Sequence, residues 1–142
     1  MHQQTFITNS FIETQKLGEK IISEFRGSTP KKALVLALYG DLGSGKTTFV
    51  QGLAEGLGIK RRIISPTFII VRQYRMKNHE LRIMNFYHVD LYRMENLMDV
   101  KELELKEILD NPNNIIAIEW AEKLGNGLPK KRWDIKFEYL DE

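Results

Sequence analysis

The chain has 142 residues, 42% of them hydrophobic and 28% charged, with a net charge of +2 and no cysteine. That length suits one domain with its own core, residues 1–142, and the missing thiols exclude a disulfide framework, thiolate catalysis and a cysteine-held metal. The net charge is too small to indicate nucleic-acid binding by itself, and no DNA partner is expected. The opening MHQQTFITNS lacks a signal-peptide layout, and Ala33–Tyr39, the longest apolar run, is too short to cross a bilayer, so a cytoplasmic protein with no membrane contact is expected.

In chain order, Gln4–Thr8 suggests a short strand. Ser10 followed by Glu13 is a capping-box pattern, and Leu17, Ile21, Ile22 and Phe25 recur at helical spacing, which predicts an amphipathic helix over residues 11–25. Gly27–Lys32 breaks the pattern. Ala33–Tyr39 reads as a strand buried on both faces. A glycine-rich turn then leads into a helix from Lys46 with Phe49, Val50, Leu53, Ala54 and Leu57 on its apolar face and Gly58 as its stop.

Thr67–Met76 and Leu81–Tyr92 are rich in β-branched and aromatic residues, and Lys77–Glu80 would join them as a hairpin. Leu97–Leu109 suits a further helix that Asn111–Asn114 ends. Ile115–Trp120 is a second buried strand, and Asp134–Leu140 alternates as a last one. This order predicts an α/β fold of three layers with a mixed central sheet, parallel around the glycine-rich turn. The basic triplets Lys60–Arg62 and Lys130–Arg132 read as solvated loop segments.

Residues 40–47, Gly-Asp-Leu-Gly-Ser-Gly-Lys-Thr, match G-x-x-x-x-G-K-[ST]. Glycines let the backbone wrap a phosphate with its N–H groups inward, and the following helix aims its positive end at the same anion. Lys46 would reach the β- and γ-phosphates, and the Thr47 hydroxyl would ligate magnesium. The motif sits where it must, after an apolar strand and before an amphipathic helix. It predicts a P-loop that holds a nucleoside triphosphate.

Such a loop needs a carboxylate at the end of a neighbouring strand to hold magnesium, directly or through water. Glu119, closing IIAIE, is the stronger match, and Asp90, closing NFYHVD, is the other. Ser65–Phe68 could sense a γ-phosphate, although read bare it is a turn before a strand. His88 by itself reads as a packed residue, and Trp120 as partly buried near the site.

Together GDLGSGKTTF (40–49), SPTF (65–68), HVDLYR (88–93) and IEW (118–120) resemble the TsaE (formerly YjeE) family, small bacterial ATPases of threonylcarbamoyladenosine formation at position 37 of tRNA. The resemblance runs from about Thr8 to Tyr139. It implies that Leu42, Gly43, Ser44, Gly45, Lys46, Thr47 and Thr48 bind ATP or ADP, that Thr47 and Glu119 hold Mg2+, and that Lys46, Asp90 and Glu119 serve hydrolysis. It also implies that Thr67 belongs to a switch-like segment and that the turn at Ser10–Phe11 approaches the adenine. The implied partners are the TsaB and TsaD proteins, with tRNA met only through that complex. Ala121 stands where many relatives have proline, and relatives usually continue past the segment where this sequence stops, often with an arginine.

Three rivals remain at this point. A small-molecule kinase would need an acceptor pocket and an arginine-bearing lid, and no arginine-dense segment follows the P-loop helix. A GTPase would need the N-K-x-D guanine reader, which the sequence lacks. A module in which ATP only orders the protein for a partner is distinguished from an ATPase by turnover.

Overall fold

The computed structural model describes residues 3–25, 31–41, 43–59, 71–76, 85–94 and 105–140. Helix α1, Phe11–Ser23, begins where the capping box predicts: the Glu13 N–H donates to Ser10 Oγ at 3.2 Å. Glu13 returns the bond one residue further out than the usual box, accepting from the Asn9 N–H at 2.7 Å. Strand β1 is Leu34–Tyr39, and α2, Lys46–Gly56, ends at Leu57 with Gly58 at φ +80°, the left-handed position that stops helices. Strands β2, Val71–Arg75, and β3, Asn85–Asp90, pair antiparallel from Val71↔Val89 to Arg75↔Asn85, as the hairpin reading requires. Helix α3, Leu105–Asp110, is the described part of the predicted 97–109 helix. Strand β4, Asn114–Glu119, a 3₁₀ segment, Ala121–Gly127, and β5, Trp133–Lys136, complete the described elements.

The sheet order is β2-β3-β4-β1-β5, parallel throughout except for the β2–β3 pair. The two most apolar segments, β1 and β4, sit centrally, and every residue of β4 is buried. Alternation divides the core. Leu36, Leu38, Phe86, Ile115 and Ala117 face α1 and α2, whereas Val35, Ala37, Val89, Ile116 and Ile118 face Leu105 of α3 and Ala121 and Leu124 of the 3₁₀ segment. The result is the three-layer α/β arrangement expected.

Helices α1 and α2 approach unusually closely. A Cβ on Gly52 would lie 2.0 Å from the Gln15 carbonyl oxygen, and one on Gly18 would lie 2.6 Å from that of Phe49. These glycines are helix-interior residues that would weaken an isolated helix. Here they let two backbones meet.

Several boundaries differ from expectation: α1 ends at Ser23, not residue 25, and β3 at Asp90, not Tyr92, while others differ for reasons the packing shows. Residues 4–8 form no strand: they are exposed throughout, and Phe6 and Ile7 find no sheet edge to bury them. Strand β4 starts at Asn114, not Ile115, because Asn114 is buried and its side chain bonds both Asn85 Nδ2 at 3.2 Å and the Ile108 carbonyl at 3.0 Å. It ends at Glu119 because Trp120 turns left-handed, at φ 60°. The last strand stops at Lys136, beyond which the Phe137 N–H still meets the Tyr39 carbonyl at 2.8 Å before the chain leaves the sheet. Among the described residues no helix is long and apolar enough to cross a membrane.

Candidate functional site

The parallel strands β1, β3 and β4 end at one edge of the sheet, with Leu38 and Asp90 each in register with Glu119. Strand β4, far along the chain, lies between β1 and β3, so the chain leaves β1 in one direction and returns on both sides of it. That switch point, beyond the carboxyl ends of parallel strands, is where open α/β sheets bind ligands.

Gly40 follows β1 at this end of the sheet, and Gly43–Gly45 lead into α2. Gly45, at φ +105°, is the N-cap of α2, a conformation that makes glycine necessary there. Gly40 needs glycine for two reasons: φ is +145°, and a Cβ would come within 2.8 Å of both the Phe137 carbonyl oxygen and Ser44 Oγ. Gly43 is likewise left-handed, at φ +78°, and its carbonyl accepts from the Tyr139 hydroxyl. Ser44 Oγ is buried with no hydrogen-bond partner among the described residues. Leu42 lies outside the described residues, as do Ser65–Phe68 and hence Thr67.

Lys46 opens α2 and is only 4% exposed. Its ammonium donates to the Gly40 carbonyl and lies 4.1 Å from the centre of the Trp120 ring. Neither partner carries a negative charge, and no carboxylate pairs with Lys46 among the described residues. A buried cation so arranged is ready for an anion. The left-handed turn at Trp120 brings the ring there, and Tyr92 packs beside it with centroids 5.3 Å apart. Backbone strain of this kind in a tryptophan gathers at working sites.

Thr47, one residue on, turns its Oγ1 to Glu119, 3.4 Å from Oε1 and 3.5 Å from Oε2. Thr48 follows, partly buried, on the same first turn of α2. Glu119 is 3% exposed, and His88 Nε2 lies 2.5 Å from its Oε2. Asp90 is 5% exposed beside Glu119, and its Oδ1 accepts from the Tyr92 N–H at 3.0 Å. Phe11 is 64% exposed at the start of α1, and on the same helix Thr14 Cγ2 lies 3.9 Å from a Cβ placed on Gly45.

Residues that sequence reasoning missed come from the chain end and from β3. Phe137–Tyr139 passes over the loop and, with Gly40, Asp41 and Ser44, encloses a cleft of about 400 Å³. An exposed tyrosine near a chain end carries no sequence signal for this. His88 had one in the H-x-D spacing, because residues two apart on a strand share a face.

Comparison with known proteins places the chain in a family. Residues 8–142 match the family described as "Threonylcarbamoyl adenosine biosynthesis protein TsaE". The chain belongs to the TsaE family. Relatives called "tRNA threonylcarbamoyladenosine biosynthesis protein TsaE" include that of Bacillus subtilis, 40% identical over 82% of this chain and 68% of the relative. The TsaE of Haemophilus influenzae is 35% identical over 89% of this chain and 77% of its own length. That of Synechocystis is 46% identical over 63% of this chain, a match spanning 55% of the relative. Among solved structures, Bacillus subtilis YdiB superposes with a TM-score of 0.67 at 32% identity, covering 95% of this chain and 76% of that one. The TsaE fold therefore extends over nearly all of this sequence.

Proposed function

We propose that this protein is a magnesium-dependent ATPase that acts in threonylcarbamoyladenosine formation on tRNA, together with the TsaB–TsaD pair. The observation that carries the chemistry is the meeting of Lys46, Thr47 and Glu119 at the ends of α2 and β4. The pathway rests on membership of the TsaE family and on the names of its relatives.

The residues fit the groups they are asked to hold. A buried ammonium with only a carbonyl and a π face for company suits the β- and γ-phosphates. Thr47 and Glu119 are too far apart for a good O–H···O bond, whose usual length is about 2.7–2.8 Å, yet close enough to share one hard cation between oxygen donors. Magnesium there would neutralise charge on the transferred phosphoryl group.

Each residue then has a task. The left-handed glycines leave room for backbone N–H groups against phosphate, and Ser44 has a hydroxyl to spare. Lys46 exchanges the Gly40 carbonyl for phosphate oxygens. Asp90, whose Oδ1 accepts from the Tyr92 N–H, stands in register with Glu119, where its carboxylate would support the metal's water or the attacking water. Adenine nucleotides are the expected ligands, because nothing in the sequence reads guanine.

The test is phosphate release from ATP by the protein alone and with purified TsaB–TsaD, alongside threonylcarbamoyladenosine formation on tRNA over several turnovers. Slow release alone and faster release with the pair is the expected result. A pair that neither binds the chain nor alters its rate would remove the pathway reading and leave the ATP site standing.

A further inference from the structure

His88 Nε2 and Glu119 Oε2 meet at 2.5 Å in the interior, with the histidine 0% and the glutamate 3% exposed. His88 is wholly buried in the middle of β3, in register with Arg72 of β2 on one side and Ala117 of β4 on the other. Its side chain shares a sheet face with Phe86 and Ala117, the face that α2 covers. Glu119 stands at the end of β4, its side chain turning on three single bonds.

The imidazole is only half satisfied. Nε2 meets Glu119 Oε2, while Nδ1 is buried with no partner among the described residues. A side chain that merely filled this space would do better without polar atoms, since an orphaned buried group costs about 1–3 kcal/mol. What the histidine retains for that cost is the one bond to Glu119. Toward an ionised carboxylate, which only accepts, Nε2 is the donor.

We propose that His88 is a positioning residue that orients the Glu119 carboxylate for magnesium. This rests on the reading of Glu119 as the magnesium carboxylate. By holding Oε2, the ring restrains the carboxylate where Oε1 and Oε2 stand 3.4 and 3.5 Å from Thr47 Oγ1, a spacing that leaves the threonine hydroxyl unbonded. Without the ring, Glu119 can turn away or close on the threonine hydroxyl. Partners of this kind, one step behind a metal ligand, change metal affinity by about 10–100-fold when lost.

Two amide variants separate positioning from packing. Glutamine places its amide nitrogen near the place of Nε2, whereas asparagine is too short and reaches only the region of Nδ1. Binding of a non-hydrolysable ATP analogue is titrated by calorimetry at increasing magnesium, and also without it, for the parent, His88→Gln, His88→Asn and Glu119→Gln. In His88→Asn the magnesium needed for half-maximal effect should rise about 10–100-fold, with metal-free affinity unchanged. His88→Gln should recover most of that loss. Equal magnesium demand in the parent and both His88 variants overturns the proposal, as does an equal loss of metal-free and metal-dependent binding in both. In that case a raised demand in Glu119→Gln leaves Glu119 as the magnesium carboxylate, whereas a parent-like demand there ends that reading too.

Discussion

Replacing Gly52 by alanine tests how the candidate site is braced. The added Cβ would fall 2.0 Å from the Gln15 carbonyl oxygen and 2.8 Å from Gln15 Cα, against the 3.4 Å where ordinary contact begins, so α1 must retreat by about 1.4 Å. The obstructing atoms are backbone, which no rotamer change can clear. Such overpacking costs about 1–3 kcal/mol, here towards the upper end, and retreat also loosens Ile22, Leu17 and Ile21 against α2. Alanine's better helix propensity returns about 0.5–1 kcal/mol, so the net loss should be about 2 kcal/mol. For a chain of this size that lowers the melting temperature by about 5–10 °C. Because Thr14 on α1 adjoins Gly45, nucleotide affinity should weaken as well. Thermal melts followed by circular dichroism, with calorimetric ATP binding at a temperature where both proteins are folded, give the two readouts. Gly58→Ala is the control: φ is +80° but nothing lies within 4 Å, so its cost of about 1 kcal/mol is conformational and should leave ATP binding intact. A Gly52→Ala protein that melts at or above the parent temperature would refute the account of the α1–α2 contact.

Lys46→Ala removes the one buried ammonium at the loop and should weaken ATP binding about tenfold or more, roughly 1.4 kcal/mol, as read by calorimetry; unchanged affinity would dispose of the phosphate cradle. Glu119→Gln should raise the magnesium requirement and depress hydrolysis, whereas Asp90→Asn should impair turnover more than nucleotide binding; normal hydrolysis by Glu119→Gln with the partner pair would show the metal site to be elsewhere. The phenol of Tyr39 is held above its ordinary 10.0, first by burial and then by its 2.7 Å hydrogen bond to Asp134. A raised acid stabilises the fold fully below pH 10 and loses that contribution as pH climbs through the higher folded value, so urea midpoints should fall more steeply above pH 10 in the parent than in Tyr39→Phe. Matching slopes in the two proteins would contradict this.

Much of the molecule was legible before any coordinates, for local reasons. Ser10 and Glu13 announce the start of α1, Gly58 the end of α2, and the uninterrupted apolar runs of β1 and β4 their central places in the sheet. The phosphate motif was equally plain, because backbone wrapping, a helix start and a lysine must occur consecutively in the chain. Glu119 could be singled out from a strand ending in an acid. Each of these signals lies within a few residues of the feature it specifies.

Tertiary structure decided everything that depends on distance along the chain. Residues 4–8 have the composition of a strand, but a strand exists only where another edge receives its hydrogen bonds, and none does here. Gly18 and Gly52, helix-interior glycines with no local purpose, are needed because the two helices meet through them. His88 read as packing because its partner Glu119 is 31 residues away, and Tyr139 as one more residue of the last strand because its partner Gly43 is 96 residues away. Propensity and periodicity describe what a segment can do with its neighbours in sequence. Which carboxylate is held, and by which ring, is settled only when β3 and β4 align side by side.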